Sequence, residues 1–180
     1  MTDTFYFILH ETSNFMARQQ SKKPIKSFEY SELINNFLYL GSSQTSKNLE
    51  GLHSLNITHI VNLAGKCHHP SDFTYGTFHI EDGASKVKCE RNLPLILQFI
   101  DQARLEKSTN RVLIHCRAGM SRTPFIAIAY LMHSTNMSLM EAYTSVKKCR
   151  PQIRIHEEHC KTLLDLDKSN NCTLEFLMNE

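Results

Sequence analysis

From Val112 to Met132 the chain runs "VLIHCRAGMSRTPFIAIAYLM": aliphatic residues, a histidine and a cysteine, two arginines around a glycine, then a stretch that is apolar almost all round. The aliphatic start suits a buried strand, and residues 125–132 suit a helix with no face for solvent. Pro124 fits the first turn of that helix, where a missing N–H leaves nothing unpaired, and Thr123 is placed to cap the free amides. A buried strand, a tight turn through Gly119 and a helix starting near Arg122 aim several backbone N–H groups at one point. An anion belongs there.

The same junction predicts a reactive thiol. A cysteine ringed by amide donors, a helix N-terminus and guanidinium has its pKa lowered to roughly 3.5–7.5, so Cys116 is expected as a thiolate nucleophile. The cradle formed by Arg117, Ala118, Gly119, Met120, Ser121 and Arg122 also suits a phosphate dianion, and Arg122 can grip two of its oxygens where a lysine offers only a point charge. Phosphoryl transfer asks for little beyond positioning and charge stabilisation, so a phosphocysteine intermediate follows, with no metal or other cofactor required. His115 is expected to orient the loop through local backbone and to add positive potential. Ser121 is expected to donate its hydroxyl to the cysteine sulfur when the phosphoenzyme breaks down.

Short β-rich runs at 37–40, 58–63, 77–80 and 112–115 alternate with helical patterns at 47–55, 91–107, 124–134, 139–148 and 157–167. That order predicts an α/β fold: a central twisted, mostly parallel sheet of about four or five strands flanked by helices. With 180 residues, 41% of them hydrophobic, one compact core is expected. Residues 1–27 end in the polar "RQQSKKPIKS" and read as an N-terminal extension or arm, 28–168 as the catalytic domain and 169–180 as a C-terminal tail.

The 20 basic and 18 acidic residues nearly cancel, which argues against nucleic acid or an anionic membrane as the main partner. Six scattered cysteines are expected as reduced thiols. The N-terminus lacks a basic region, a long apolar run and a cleavage site, so a cytoplasmic or nuclear location is expected, and a monomer.

"VLIHCRAGMSRT" resembles the H-C-x5-R signature loop of the cysteine-dependent protein phosphatases in its dual-specificity form. "NNFLYLGS", "LNITHIVNLAG" and "AYLMHSTNMSLMEAYTSVKKCRP" are similar to the same domain, so the resemblance covers roughly residues 28–168 and is to the small, atypical members. It implies a twisted sheet flanked by helices, with the nucleophile in the phosphate-binding loop.

Ester cleavage also needs a proton for the leaving oxygen, and then a base to activate water. "FHIEDGASKV" places Glu81 and Asp82 after a predicted strand, with Gly83 allowing a mobile turn. In the family the acid is an aspartate in this loop, some thirty-odd residues before the cysteine; Asp82 lies 34 residues before Cys116 and is the expected general acid and base. Relatives carry Pro-Asn where this chain has Ile155 and His156, and that asparagine helps brace the loop, so another brace is needed here.

Three functions compete. One is a protein phosphatase acting on phosphotyrosine and on phosphoserine or phosphothreonine. Another is the same chemistry on a phosphoinositide, a phosphorylated glucan or an RNA 5′ phosphate. The third is a non-catalytic phosphate-binding module. A binding module has no use for a nucleophile, and a highly anionic substrate would want more positive charge than Arg117 and the neutral Met120 give the loop. His156, His159 and Cys160 fall at helical offsets that metal ligands use, but a fourth ligand is not evident. Cys89 and Cys149 are candidates for redox control of Cys116.

Overall fold

The computed structural model describes residues 28–83, 86–169 and 172–179, and the side chains of residues 84–90 lie outside the described set. The expectations for residues 1–27 and for the thiol of Cys89 therefore fall outside the described residues.

Five strands form one sheet: β1 (Ser31–Ile34), β2 (Leu38–Ser42), β3 (His59–Asn62), β4 (Thr74–Thr77) and β5 (Val112–Cys116), in the order β1-β2-β5-β3-β4. All neighbours are parallel except β1, which runs antiparallel on the edge beside β2. Among the described residues seven helices follow in chain order: α1 (Ser43–Lys47), α2 (Leu49–Ser54), α3 (Lys86–Glu106), α4 (Arg122–Thr135), α5 (Leu139–Cys149), α6 (Glu157–Leu166) and α7 (Leu174–Asn179).

Strands β3 and β5 are buried along their whole length, as expected of parallel strands covered on both faces. The period of two sorts their side chains. Leu38, Leu40, Val61, Val112 and Ile114 join the large core with α3 to α6, whereas Tyr39, Ile60 and Leu113 meet Leu52, Ile57 and Phe73 on the other face. Helix α4 is buried from Thr123 to Leu131 without interruption, so the end of β5 and the start of α4 are both anchored in the core.

Several boundaries differ from the sequence reading. The strand expected at 77–80 lies at Thr74–Thr77, because Gly76 is a strand residue here: a β-carbon on it would stand 3.1 Å from the Phe99 ring, so its missing side chain makes room for α3. The expected helix at 47–55 is two short helices, divided at Asn48, whose side chain caps the second by accepting from the Gly51 amide at 2.9 Å. Helix α3 starts before the predicted position and carries Pro94 inside it, held by the buried stripe Leu93, Ile96, Ile100 and Ala103. Strand β1 was hidden by its polar sequence; Glu32 fastens it by accepting from the Asn36 amide at 2.7 Å and the Tyr39 hydroxyl at 2.9 Å. The C-terminal stretch contains α7, with Leu177 buried and the Phe176 ring 5.6 Å from that of Tyr143. Among the described residues no helix is long and apolar enough to cross a membrane.

Candidate active site

Cys116 is the last residue of β5 and is buried, and its Sγ accepts the Gly119 amide at 3.1 Å. Gly119 has φ +73, and a β-carbon there would come within 2.6 Å of the Gly41 carbonyl oxygen and 2.7 Å of Arg150 Nη2. Only glycine satisfies both demands.

The turn after Cys116 is fixed from outside. The Arg117 carbonyl accepts from the Ser43 amide at 3.1 Å, the Gly119 carbonyl from Arg150 Nε at 2.7 Å and the Met120 carbonyl from the Arg154 amide at 2.8 Å. The peptide bonds are trans, so the N–H groups that follow these carbonyls, those of Ala118, Met120 and Ser121, point the opposite way, into the loop. An anion cradle results.

Arg150 is the brace that sequence reading missed. It stands between a helix end and Pro151, where a cation is ordinarily read as complementing the helix dipole. Instead it is buried, with Nη1 reaching Ser31 Oγ at 3.3 Å. Burial pulls its pKa below the ordinary arginine value, while Glu29 and Cys116 favour the charged form. The loop is thus braced from β1 through the buried Arg150.

Thr123 does not cap α4 as expected. It lies within the first turn, where its hydroxyl faces β2 and donates to the Gly41 carbonyl at 3.4 Å. Ser121 occupies the N-cap position but makes no capping bond; its Oγ accepts the His156 amide at 3.2 Å. The helix N-terminus is therefore left to face an anion rather than a side chain.

Arg122 is held rigidly. Its Nη1 donates to the Leu63 carbonyl at 2.9 Å and the Ile80 carbonyl at 3.1 Å, and Nη2 lies 3.3 Å from the Asp82 carboxylate. Its buried Nε has no partner among the described residues. The structure thus brings Asp82, from the turn after Ile80, to the guanidinium that opens α4. Asp82 is half exposed, and Arg117 and Ala118 are exposed.

The expectation for His115 needs correction. Its ring is buried, and burial outweighs the backbone hydrogen bond at Cys116 that favours the charged form, pushing its pKa down to about 4. The imidazole is neutral, so the positive potential comes from Arg122, Arg150 and the loop amides.

His156, His159 and Cys160 do not converge. The His159 ring stacks 4.7 Å from that of Phe125, and the Cys160 thiol is directed at the Ile155 carbonyl. Among the described residues no group of three or more His, Cys, Asp or Glu is placed to hold a metal. Cys149 donates to the Val146 carbonyl at 3.3 Å, and burial raises its pKa, the opposite of what a ready redox partner needs. A cleft of about 260 Å³ beside Arg122 is lined by Leu63, Gly65, His79, Ile80 and Glu81. A larger groove of about 800 Å³ between α3 and α4 includes none of the groups above.

A sequence model of the dual specificity phosphatase catalytic domain matches residues 38–169. The chain belongs to the dual-specificity phosphatase family. Dual specificity protein phosphatase 1 of Arabidopsis thaliana is 35% identical over 146 residues, which cover 80% of this chain and 72% of that one. A probable rhodanese domain-containing dual specificity protein phosphatase of Dictyostelium discoideum is 34% identical over 152 residues, which cover 83% of this chain but 31% of the relative, so the chain spans less than a third of that protein. Among solved structures, the human tyrosine phosphatase-like serine/threonine/tyrosine-interacting protein superposes with a TM-score of 0.69 at 26% identity, covering 76% of this chain and 94% of that one. The family's mixed sheet flanked by helices is the architecture described above.

Proposed function

We propose that this dual-specificity phosphatase family member hydrolyses phosphotyrosine and phosphoserine or phosphothreonine in proteins through a phosphocysteine intermediate. The observation that carries this reading is the buried, unpartnered Nε of Arg122, on a guanidinium otherwise fixed by two carbonyls and Asp82. A buried donor without an acceptor is costly, and a phosphate oxygen would supply the acceptor.

In the first step Cys116 Sγ attacks phosphorus while the bond to the ester oxygen breaks and Asp82 gives that oxygen its proton. In the second step water attacks the phosphocysteine, Asp82 takes the water's proton, and the P–S bond breaks to return the thiolate. The Ser121 hydroxyl can donate to the departing sulfur, since its oxygen, not its hydrogen, is used by His156. The loop amides and Arg122 hold the equatorial oxygens as charge shifts.

The test is hydrolysis of p-nitrophenyl phosphate and of phosphopeptides bearing each phosphorylated residue, with chelator present, by wild type and Cys116→Ser. Chelator-resistant turnover that vanishes in the variant, with a trapped phosphocysteine after acid quench, is expected. Turnover that survives Cys116→Ser would overturn the mechanism, and activity on phosphoinositides but on no phosphopeptide would overturn the substrate class.

A further inference from the structure

His156 touches both halves of the site. Its backbone N–H donates to Ser121 Oγ at 3.2 Å, on the phosphate loop. Its ring Nδ1 accepts the Glu158 amide at 3.3 Å and so fills the N-cap of α6, a place usually held by Ser, Thr, Asn or Asp. With Nδ1 accepting, the neutral ring keeps its proton on Nε2. The far edge of the ring lies against the acid turn: a β-carbon built on Gly83 would be 2.9 Å from both Cε1 and Nε2.

The acid turn is tied to the scaffold at Glu81, whose backbone hydrogen-bonds His159, and at Asp82, whose carboxylate lies 3.3 Å from Arg122 Nη2. Beyond Thr77 the chain leaves the sheet, Glu81 and Asp82 are exposed, and Gly83 has φ +75. Upstream, the turn is fixed at Ile80, whose side chain is buried and whose carbonyl receives Arg122. Downstream of Asp82, the described contact is the imidazole. We propose that His156 is the positioning residue for Asp82: its clamped ring is the platform on which the Asp82–Gly83 turn rests, and its amide registers that turn to Ser121. The proposal builds on the phosphatase reading and gives the chain's departure from the family asparagine a role. Asparagine could cap α6 and donate its amide to Ser121 equally well, but it is too short to reach Gly83 with a flat ring.

A residue that acts through the general acid must matter in proportion to how much the leaving group needs a proton. The experiment measures kcat/KM for a series of aryl phosphates of increasing leaving-group pKa, ending in an alkyl phosphate, in wild type, His156→Asn, Asp82→Asn and the double variant. Because Asn retains the cap, α6 should stay folded, which urea midpoints check. General acids contribute about 10²–10⁴-fold, so partial misplacement in His156→Asn should cost roughly tenfold or more at the alkyl end and under about threefold at the most acidic leaving group. Added to Asp82→Asn, the same change should cost less than about twofold, because the group through which it acts is already gone. Gly83→Ala, which pushes on the contact from the other side, should give the same leaving-group signature. A uniform loss across the series, a full multiplicative loss in the double variant, or a Gly83→Ala enzyme that behaves as wild type would overturn the proposal while leaving the phosphatase reading intact. A folded wild type that cleaves none of the esters would remove both.

Discussion

Two buried imidazoles set an acid limit on the stability of this fold. His115 and His159 are each almost fully inaccessible, and burial outweighs the backbone hydrogen bonds at Cys116 and Glu81 that favour the charged rings, pushing both pKa values down to about 4. Around His159, Asp82 favours the charged ring while His156 and Arg122 oppose it, so desolvation dominates. An unfolded histidine titrates near about 6.5. As pH falls below that value the unfolded chain takes up a proton at each position and the folded chain does not. Stability contributed by each ring is therefore fully present above about pH 6.5, falls by about 1.4 kcal/mol per pH unit, and is lost as pH reaches the folded value. A depression from about 6.5 to about 4 corresponds to roughly 3 kcal/mol for each ring, a large share of the about 5–15 kcal/mol that domains possess. The assay is urea unfolding of wild type and His159→Phe at several pH values from 7 to about 4.5, where phenylalanine keeps a flat ring against Phe125. The difference in unfolding free energy between the two proteins should change with pH by about 1.4 kcal/mol per unit. Parallel profiles would refute the idea that the buried ring excludes the proton.

Gly119→Ala should combine a left-handed backbone penalty of about 1–2 kcal/mol with a clash against the Gly41 carbonyl, lowering the urea midpoint and cutting kcat about 10²-fold. Arg150→Met keeps the volume but strips the Gly119 carbonyl of its partner; a destabilisation of about 1–3 kcal/mol and a kcat loss exceeding any rise in KM are expected from denaturation curves and steady-state kinetics. Asp82→Asn should steepen the dependence of kcat/KM on leaving-group pKa, costing about 10²–10⁴-fold with alkyl esters and much less with acidic phenols, in the same kinetic series.

What the sequence made legible was whatever local pattern dictates. The run from Val112 to Met132 announces a buried strand, a glycine turn and a buried helix, and Cys116, Gly119 and Arg122 fall where that grammar places them. Gly76 misled because a glycine in a strand looks like punctuation until the ring of Phe99 is seen beside it. Thr123 misled because a hydroxyl next to a helix start has two possible acceptors, and only the sheet's position shows that the Gly41 carbonyl is within reach. Arg150 was visible as a residue but not as part of a site, and His156 stood at the family's bracing position without its contact being legible, since their partners lie 31 and 35 positions away along the chain. The neutrality of His115 could not be read at all, because it depends on burial by both faces of the sheet.

These long-range bonds share a direction. Thr123 donates its hydroxyl to the Gly41 carbonyl, Ser121 Oγ accepts the His156 amide, Arg150 Nε donates to Gly119, and Arg122 Nη1 donates to Leu63 and Ile80. In each case a polar side-chain atom near the site is turned to the scaffold. What remains for the ligand is backbone amide, one guanidinium Nε and a helix terminus without a side-chain cap. Such donors cannot rotate away, so they need no rearrangement as charge develops on the transferring phosphoryl group, and their dipoles act at full strength in a site closed to water from behind. Asp82 is the one group whose task changes between the two steps, and a turn resting on His156 is a suitable mount for a carboxyl that must serve first as acid and then as base.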